Sequence, residues 1–446
     1  MKLNELKDLL RSMGVVGAGG AGFPTYAKLS DAADTIILNC AECEPLLKLH
    51  RQLLEENTHE ILSALDAILD ATGAKQAIIG VKEHYHATIE ALEGEIGEFP
   101  RISVKKLGAV YPSGDEIILI KEACGRVVDP GKLPISVGVT VCNVETVYNV
   151  YRALHGKPVT HKYVTVAGEV KNPITLYVPI GTKIAELISA AGGLTVKEAE
   201  LLSGGPMMGN IVKASDAVTK TTNAIIALPA DHQIILNKKR NPKISLKRAM
   251  SVCCQCRSCT ELCSRHVAGY PVEPHMVMRV LANGGRGDLK ALEGSLFCSN
   301  CGLCETYSCP QDLSPRALIA ELKAAVKKSG MPMPQGFKAD PDPKDAEYKK
   351  VSVDRLTMRL GLKKYDVAAP ISEDFETKSV KIMLSQHIGA PAVARVAEGD
   401  TVKVGDVIAE AKDGALSVSI HASLSGKVDT VAPNYVKIIA AKAERN

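Results

Sequence analysis

The chain has 446 residues, a formal net charge of +4 and 46% apolar residues. That length exceeds one compact core and predicts three or four domains. The weak charge argues against a polybasic partner site for nucleic acid or an acidic membrane surface, and an aromatic content of 4% with no Trp leaves little stacking platform for bases.

The N-terminal MKLNELKDLLRSMG reads as a short amphipathic helix without the apolar run or cleavage site of a signal peptide. No stretch reaches the roughly 18 apolar residues of a membrane span, so a cytoplasmic chain is expected. Residues 1–158 alternate strand runs (TIILNC, QAIIGV) with the helical period of LLEENTHEILSALDAILDAT, which predicts an α/β domain with a parallel sheet. Residues 159–235 change character. HKYVTVAGEVKNPITLYVPIG reads as a hairpin turning at Asn172-Pro173, and TKIAELISAAGG as a helix stopped by glycines. Residues 245–330 hold nine cysteines, eight of them spaced in two groups of four, with MVMRVLANGG and PRALIAELKAAVKKSG as helices around them. Residues 331–378 are rich in Pro, Lys and Asp and read as a linker. Residues 379–446 return to β pattern.

The cysteines carry the strongest signal. A disulfide scaffold this dense belongs in a small secreted domain, so metal ligation is the better reading. Cys253-x2-Cys256-x2-Cys259-x3-Cys263 has bacterial ferredoxin spacing, and Cys298-x2-Cys301-x2-Cys304-x4-Cys309-Pro310 repeats it with one extra residue. In two-cluster ferredoxins the fourth cysteine of each motif ligates the other cluster. The expected sets for two [4Fe–4S] clusters are therefore Cys253, Cys256, Cys259 and Cys309, and Cys298, Cys301, Cys304 and Cys263. The competing reading is two zinc sites, but zinc ribbons use separated C-x2-C pairs rather than triplets with a trailing cysteine. Cys254 is expected as a bystander, Cys40 and Cys43 as structural rather than a redox pair, and Cys124 and Cys142 as buried small hydrophobes.

A second signal is Gly17-Ala18-Gly19-Gly20-Ala21-Gly22-Phe23-Pro24, followed by Lys28. Such a loop lets backbone N–H groups approach a phosphate or a flat ring, with Lys28 as counter-charge. No G-K-[ST] follows and no strand precedes it, so it is neither a Walker loop nor a dinucleotide fingerprint. NCAECEP, YPSGDE and NVET follow β runs, where open α/β sheets bind ligands.

Together GAGGAGFPTYAK, NCAECEP, YPSGDE and NVET resemble the flavin-binding subunit of respiratory NADH dehydrogenase and the RnfC component of the Rnf electron-transport complex. The resemblance implies FMN contacts at Gly17, Gly19, Gly20, Lys28, Asn39, Glu42, Tyr111, Gly114 and Asn143. It implies that Phe23, Glu44 and Glu116 lie near NADH. Ala41 and Cys142 depart from the dehydrogenase pattern, which has an acidic residue and an asparagine there. No acid–base catalyst is assigned. Residues 160–215 resemble an SLBB β-grasp module, and SGGPMMG at 203–209 matches the RnfC family. The last domain resembles a barrel-sandwich hybrid of the biotinyl/lipoyl type. Ala415 stands where its modified lysine would be, which implies a structural or docking role.

In RnfC proteins the barrel-sandwich module comes first, whereas here it comes last. That order, with QHIGAPA at 386–392 and IHAS at 420–423, is similar to cobalamin reductases of propanediol-utilisation microcompartments. The resemblance implies an NADH-dependent oxidoreductase that reduces cobalamin for a B12-dependent diol dehydratase inside a bacterial microcompartment. It implies cobalamin, a cobalamin adenosyltransferase and shell proteins as partners. Two other readings stand beside it. One is the same chain of cofactors serving a ferredoxin, a quinone or a glycyl-radical activase; the other is a non-catalytic cluster scaffold.

Overall fold

The structure is a computed structural model that describes residues 1–342 and 348–441. Helix α1 (Leu3–Ser12) and the one-turn α2 (Thr25–Lys28) precede strand β1 (Thr35–Cys40). Helices α3 (Leu49–Glu56) and α4 (Thr58–Thr72) lead to β2 (Gln76–Lys82), and α5 (His86–Glu95) leads to β3 (Ile102–Leu107). A short β4 (Val110–Tyr111), α6 (Glu116–Cys124), β5 (Val139–Asn143) and α7 (Val144–Leu154) follow. Strands β1, β2, β3 and β5 form a parallel sheet in the order β3-β2-β1-β5. Both faces are covered, which explains why β1 and β5 read as nearly unbroken apolar runs. The chain winds from β1 through β2 to β3, then returns to the opposite side of β1 with β5. The gap between the ends of β1 and β5 is the switch point at which such sheets bind ligands.

The second unit opens on the hairpin of β6 (His161–Gly168) and β7 (Ile174–Pro179), with α8 (Ile184–Ala190) behind it. β8 (Ala199–Ser203), β9 (Asn210–Val212) and β10 (Ala224–Pro229) complete its sheet, with β10 parallel to β6 as in a β-grasp. In the cysteine region, helices Pro242–Val252, Pro274–Ala282 and Pro315–Ser329 each begin with proline, whose fixed φ suits a first helical position. The C-terminal unit is all-β. One sheet joins Ser379–Met383, Tyr435–Ala440, Gly426–Ala432 and Thr401–Val402; the other joins Val393–Ala394, Val407–Glu410 and Ile420–His421.

The stretch expected as a linker, residues 331–378, is built into the fold where it is described; residues 343–347 lie outside the described residues. Val351–Ser352 pairs antiparallel with β4, and Ile371–Ser372 pairs parallel with β7. Between them the helix Val353–Arg359 buries Leu356 in one cluster with Leu202, Ile226, Leu303 and Tyr111. Lys- and Asp-rich flanks hide this apolar stripe from a reading by composition.

The units share cores. Leu6 and Leu10 of α1 pack in one cluster with Ile382, Ile408 and Ile420 of the C-terminal unit. The Ser419 N–H donates to the Arg11 carbonyl at 3.1 Å, and the Ile388 N–H to the Ala21 carbonyl at 2.9 Å. The tip carrying Ala415 lies against Tyr26, whose hydroxyl donates to the Ala415 carbonyl at 3.5 Å.

Candidate functional site

A cavity of about 230 Å³ opens at the β1/β5 switch point. Its wall is made by Gly17, Gly19, Lys28, Asn39 and Asn143, and also by Phe23 and Glu116. The glycine loop closes on itself: the Gly17 N–H donates to the Phe23 carbonyl at 2.9 Å and the Gly22 N–H to the Gly19 carbonyl at 3.3 Å. Gly20 and Gly22 take φ of 61° and 66°, the left-handed region where only glycine is unstrained. A Cβ on Gly19 would lie 2.6 Å from the Asn223 amide nitrogen, so the loop has no room for a side chain there. Asn143 caps α7 by accepting from the Thr146 N–H at 2.8 Å, and the Thr146 hydroxyl in turn accepts from the Ala18 N–H at 2.9 Å. The helix start and the glycine loop are thereby locked together. Lys28 and Glu116, expected on opposite ligands, form an ion pair with each other at 2.6 Å.

Five expected contacts lie off this wall, the first being Gly20 at the turn of the glycine loop. Glu42 accepts from the His50 N–H at 2.9 Å and borders a different cavity, with Lys82 and Tyr85. Glu44 is bound by the N–H groups of Met207 and Met208 at 2.8 and 2.9 Å, so it secures the SGGPMMG loop rather than the cavity wall. Burial pushes its carboxyl above the usual range, against the pull of those two N–H groups. Gly114 approaches the backbone of Ala41, and its carbonyl accepts from the Asn39 amide at 3.0 Å. The Tyr111 hydroxyl donates to the Cys301 carbonyl at 2.7 Å, which points it at the cysteine loops. Thr25, Cys142 and Thr146 also line the cavity, beyond the contacts that the resemblance implies. Thr25 and Thr146 lie inside the motifs GFPTYAK and NVET, and that membership is the signal the sequence offers.

The two cysteine loops repeat one backbone. Gln255 and Arg257 in the first, and Asn300 and Gly302 in the second, all take positive φ. Each loop curls around its sulfurs and runs into a short helix, Ser258–Glu261 or Leu303–Thr306. Cys253, Cys256, Cys259 and Cys309 line one cavity. Cys263 sits with the other group: burial pushes its thiol up, and the charges of Cys301 and Cys298 add to this. The Cys304 thiol is raised by burial, by Glu305, and by Cys298, Cys301 and Cys263. The fourth cysteine of each motif thus lies with the triplet of the other. N–H groups aim at the sulfurs, as from Asn300 to Cys298 at 3.3 Å and from Leu313 to Cys309 at 3.4 Å. Burial pushes Cys259 up to about 12 and Cys301 to about 11, so metal must displace protons to bind. Cys40 and Cys43 are free thiols; burial raises both, Cys43 to about 12, which suits packing and not redox exchange.

The segment 111–116 joins the two regions. Tyr111 holds the Cys301 loop, Asp115 receives Arg265 at 2.9 and 3.1 Å, and Glu116 lines the cavity.

Four domain families match along the chain: the Nuo51 FMN-binding domain over residues 10–152, the SLBB domain over 163–210, the 4Fe-4S dicluster domain over 252–314 and the RnfC barrel sandwich hybrid domain over 360–443. The chain is 38% identical to cobalamin reductase PduS of Salmonella typhimurium, over 98% of this chain and 97% of that one. It is 39% identical to cobalamin reductase PduS of Citrobacter freundii, over 97% and 96%. The chain belongs to the cobalamin reductase PduS family. As a member it is an oxidoreductase with a flavin domain and a dicluster domain. The C component of the Na(+)-translocating ferredoxin:NAD(+) oxidoreductase complex of Acetobacterium woodii is 33% identical over 60% of this chain and 59% of that one, which places this PduS-family chain beside Rnf. An NAD+-reducing [NiFe]-hydrogenase structure shares the fold at a TM-score of 0.50 and 19% identity, over 76% of this chain and 69% of that one. Among the described residues no helix of this family member is long and apolar enough to cross a membrane.

Proposed function

We propose that this chain takes hydride from NADH at an FMN in the β1/β5 cavity and delivers single electrons through two [4Fe–4S] clusters to cobalamin. The observation that carries this reading is the segment 111–116, which reaches from the cavity wall at Glu116 to the Cys301 loop at Tyr111. Flavin accepts electrons in pairs and releases them singly, and each cubane carries one. The residues at the cavity fit a flavin. Gly17 and Gly19 leave a wall without side chains, the α7 start offers N–H groups to a phosphate, and the buried Thr25 hydroxyl has no protein partner. Lys28 supplies a cation at the rim once its pairing with Glu116 is shared. Phe23 is 41% exposed on the cavity wall, a flat apolar surface for a nicotinamide. The soft thiolates of each four-cysteine group suit iron–sulfur clusters. The partner is cobalamin, on the strength of the PduS relatives' names; the resemblance of the sequence motifs implies a microcompartment setting that feeds a diol dehydratase.

The two halves can be separated. Cys301→Ser should lose about half of roughly eight irons. It should still bleach its flavin with NADH and reduce ferricyanide, but reduce cobalamin poorly when no FMN is added. Lys28→Ala should lose FMN affinity by about 1–3 kcal/mol, the worth of a charge-assisted hydrogen bond. Once stripped of flavin it should oxidise no NADH, while its clusters still accept electrons from dithionite. Wild-type cobalamin reduction by the Cys301 variant would assign the clusters to another acceptor.

A further inference from the structure

A second cavity, of about 220 Å³, lies between the flavin domain and the cysteine loops and is separate from the flavin crevice. Its walls are apolar: Val110 and Ile118 on one side, Leu262, Val267, Ala268 and Leu303 on the other. Ligand cavities for drug-sized molecules run from about 300 Å³ upward, so this one takes a ring system rather than a whole corrinoid. Ser113 lines it, is 1% exposed, and has a buried hydroxyl oxygen without a protein partner. A buried hydroxyl left unpaired is unfavourable, and a ligand acceptor would satisfy it. Three lysines stand at the rim: Lys121, Lys349 and Lys350. Lys349 pairs with Glu261 at 2.5 Å and Lys350 with Glu122 at 3.0 Å. Lys121 forms no salt bridge among the described residues; its partial burial disfavours the ammonium, and the charge of Glu122 opposes that. Ser264 lines the cavity and lies 3.9 Å from the Cys301 sulfur, and Leu303 sits between Cys301 and Cys304.

We propose that this cavity seats a planar aromatic base bearing a phosphate, with the ring between Ile118 and Val267 and the phosphate on Lys121. Two sources share that chemistry: the benzimidazole nucleotide tail of a corrinoid, and a free mononucleotide. The corrinoid source rests on the function proposed above, and it would bring the corrin ring to the Cys301 loop. The site itself stands without it.

Binding is measured on the full-length, cofactor-loaded protein with dimethylbenzimidazole ribotide, its dephosphorylated riboside and AMP. Lys121→Glu should weaken the ribotide at least tenfold and leave the riboside unchanged. Val267→Phe should fill the ring site and abolish both. NADH-dependent ferricyanide reduction and iron content should both be unchanged in the two variants, which shows that the flavin domain and the cysteine region are folded. Cobalamin and cobinamide, which lacks the tail, are then compared as acceptors. A corrinoid source is assigned if both variants raise the KM for cobalamin and leave cobinamide unchanged. A free-nucleotide source is assigned if AMP binds with the same variant pattern and the two corrinoids respond alike. Ribotide binding with this pattern in a protein that reduces no cobalamin would sink the proposed function and leave the site standing. Absence of binding by every probe, or ribotide binding that survives Val267→Phe, would overturn the site.

Discussion

Glu145 shows how a motif residue can belong to the frame and not to the ligand. It sits in NVET, two residues past the cap Asn143, and pairs with Lys162 of β6. Their side chains are 2% and 1% exposed, so neither charge sees water. Burial lowers the Lys162 ammonium, and Glu145 opposes that. Removing one member of such a pair strands the other charge, at about 3–5 kcal/mol, whereas replacing both by apolar groups is often neutral. Glu145→Ala should therefore destabilise the chain by that amount in urea unfolding, and the double variant Glu145→Leu/Lys162→Met should recover most of the loss. An additive double variant would mean that the pair is not coupled. Glu44 follows the same logic: its place in NCAECEP points to a ligand, yet its carboxylate holds two backbone N–H groups of the SGGPMMG loop. Spacing cannot tell these uses of a carboxylate apart, because both require an acidic residue at a strand end.

At the scale of elements, legibility followed periodicity and covalent geometry. TIILNC and QAIIGV announced β1 and β2 because strands buried on both faces must be apolar throughout. The cysteine loops were legible because cubane ligation fixes the two-residue gaps. Gly17 and Gly19 were legible as a ligand wall because four glycines within six residues let the backbone approach a bound group. The segment after the cysteines was not legible. Val353–Arg359 has only two turns, and its buried stripe of Leu356 and Leu360 lies among exposed Asp, Arg and Lys. Asn223 was equally silent, since its closeness to Gly19 arises from how the second unit docks. The helix carries a testable consequence. Leu356 is fully buried, so Leu356→Ala should lower stability by about 2–5 kcal/mol. Met358→Ala, at a position 53% exposed, should change it by less than about 0.5 kcal/mol. Equal effects in thermal melts would return the segment to the role of a tether.

The whole molecule meets at Lys220. It stands in the second unit, just before β10, with its ammonium donating to the Gly14 carbonyl at 2.7 Å and the Ser419 carbonyl at 3.2 Å. Its own N–H donates to the Gln386 side chain at 2.9 Å. One residue therefore ties the N-terminal loop, the β-grasp unit and the C-terminal unit. Two carbonyls do not replace the water it has lost, and burial pushes its pKa down to about 7. His421 and His387 face the same place; burial lowers both, His421 to about 4, and the Lys220 charge adds to this. No carboxylate figures among the charges acting on Lys220. In the unfolded chain a lysine keeps its proton to its ordinary value of 10.5, whereas here it releases it near 7. Between those values the unfolded state holds more protons, so this residue makes stability rise with pH from about 7 to about 10.5. Below about 7 both states are charged and the full penalty of a buried ammonium applies. The histidines titrate below that window and do not blur it. The difference in unfolding free energy between wild type and Lys220→Met should therefore change steadily across about pH 7 to 10, with wild type gaining as pH rises. Relative to wild type, the same variant should loosen the C-terminal unit most at high pH, where wild-type Lys220 carries no buried charge, and limited proteolysis of residues 379–441 would report that. A pH-independent difference would show that Lys220 keeps an ordinary pKa through local opening, and that the three units are not closed around it in solution.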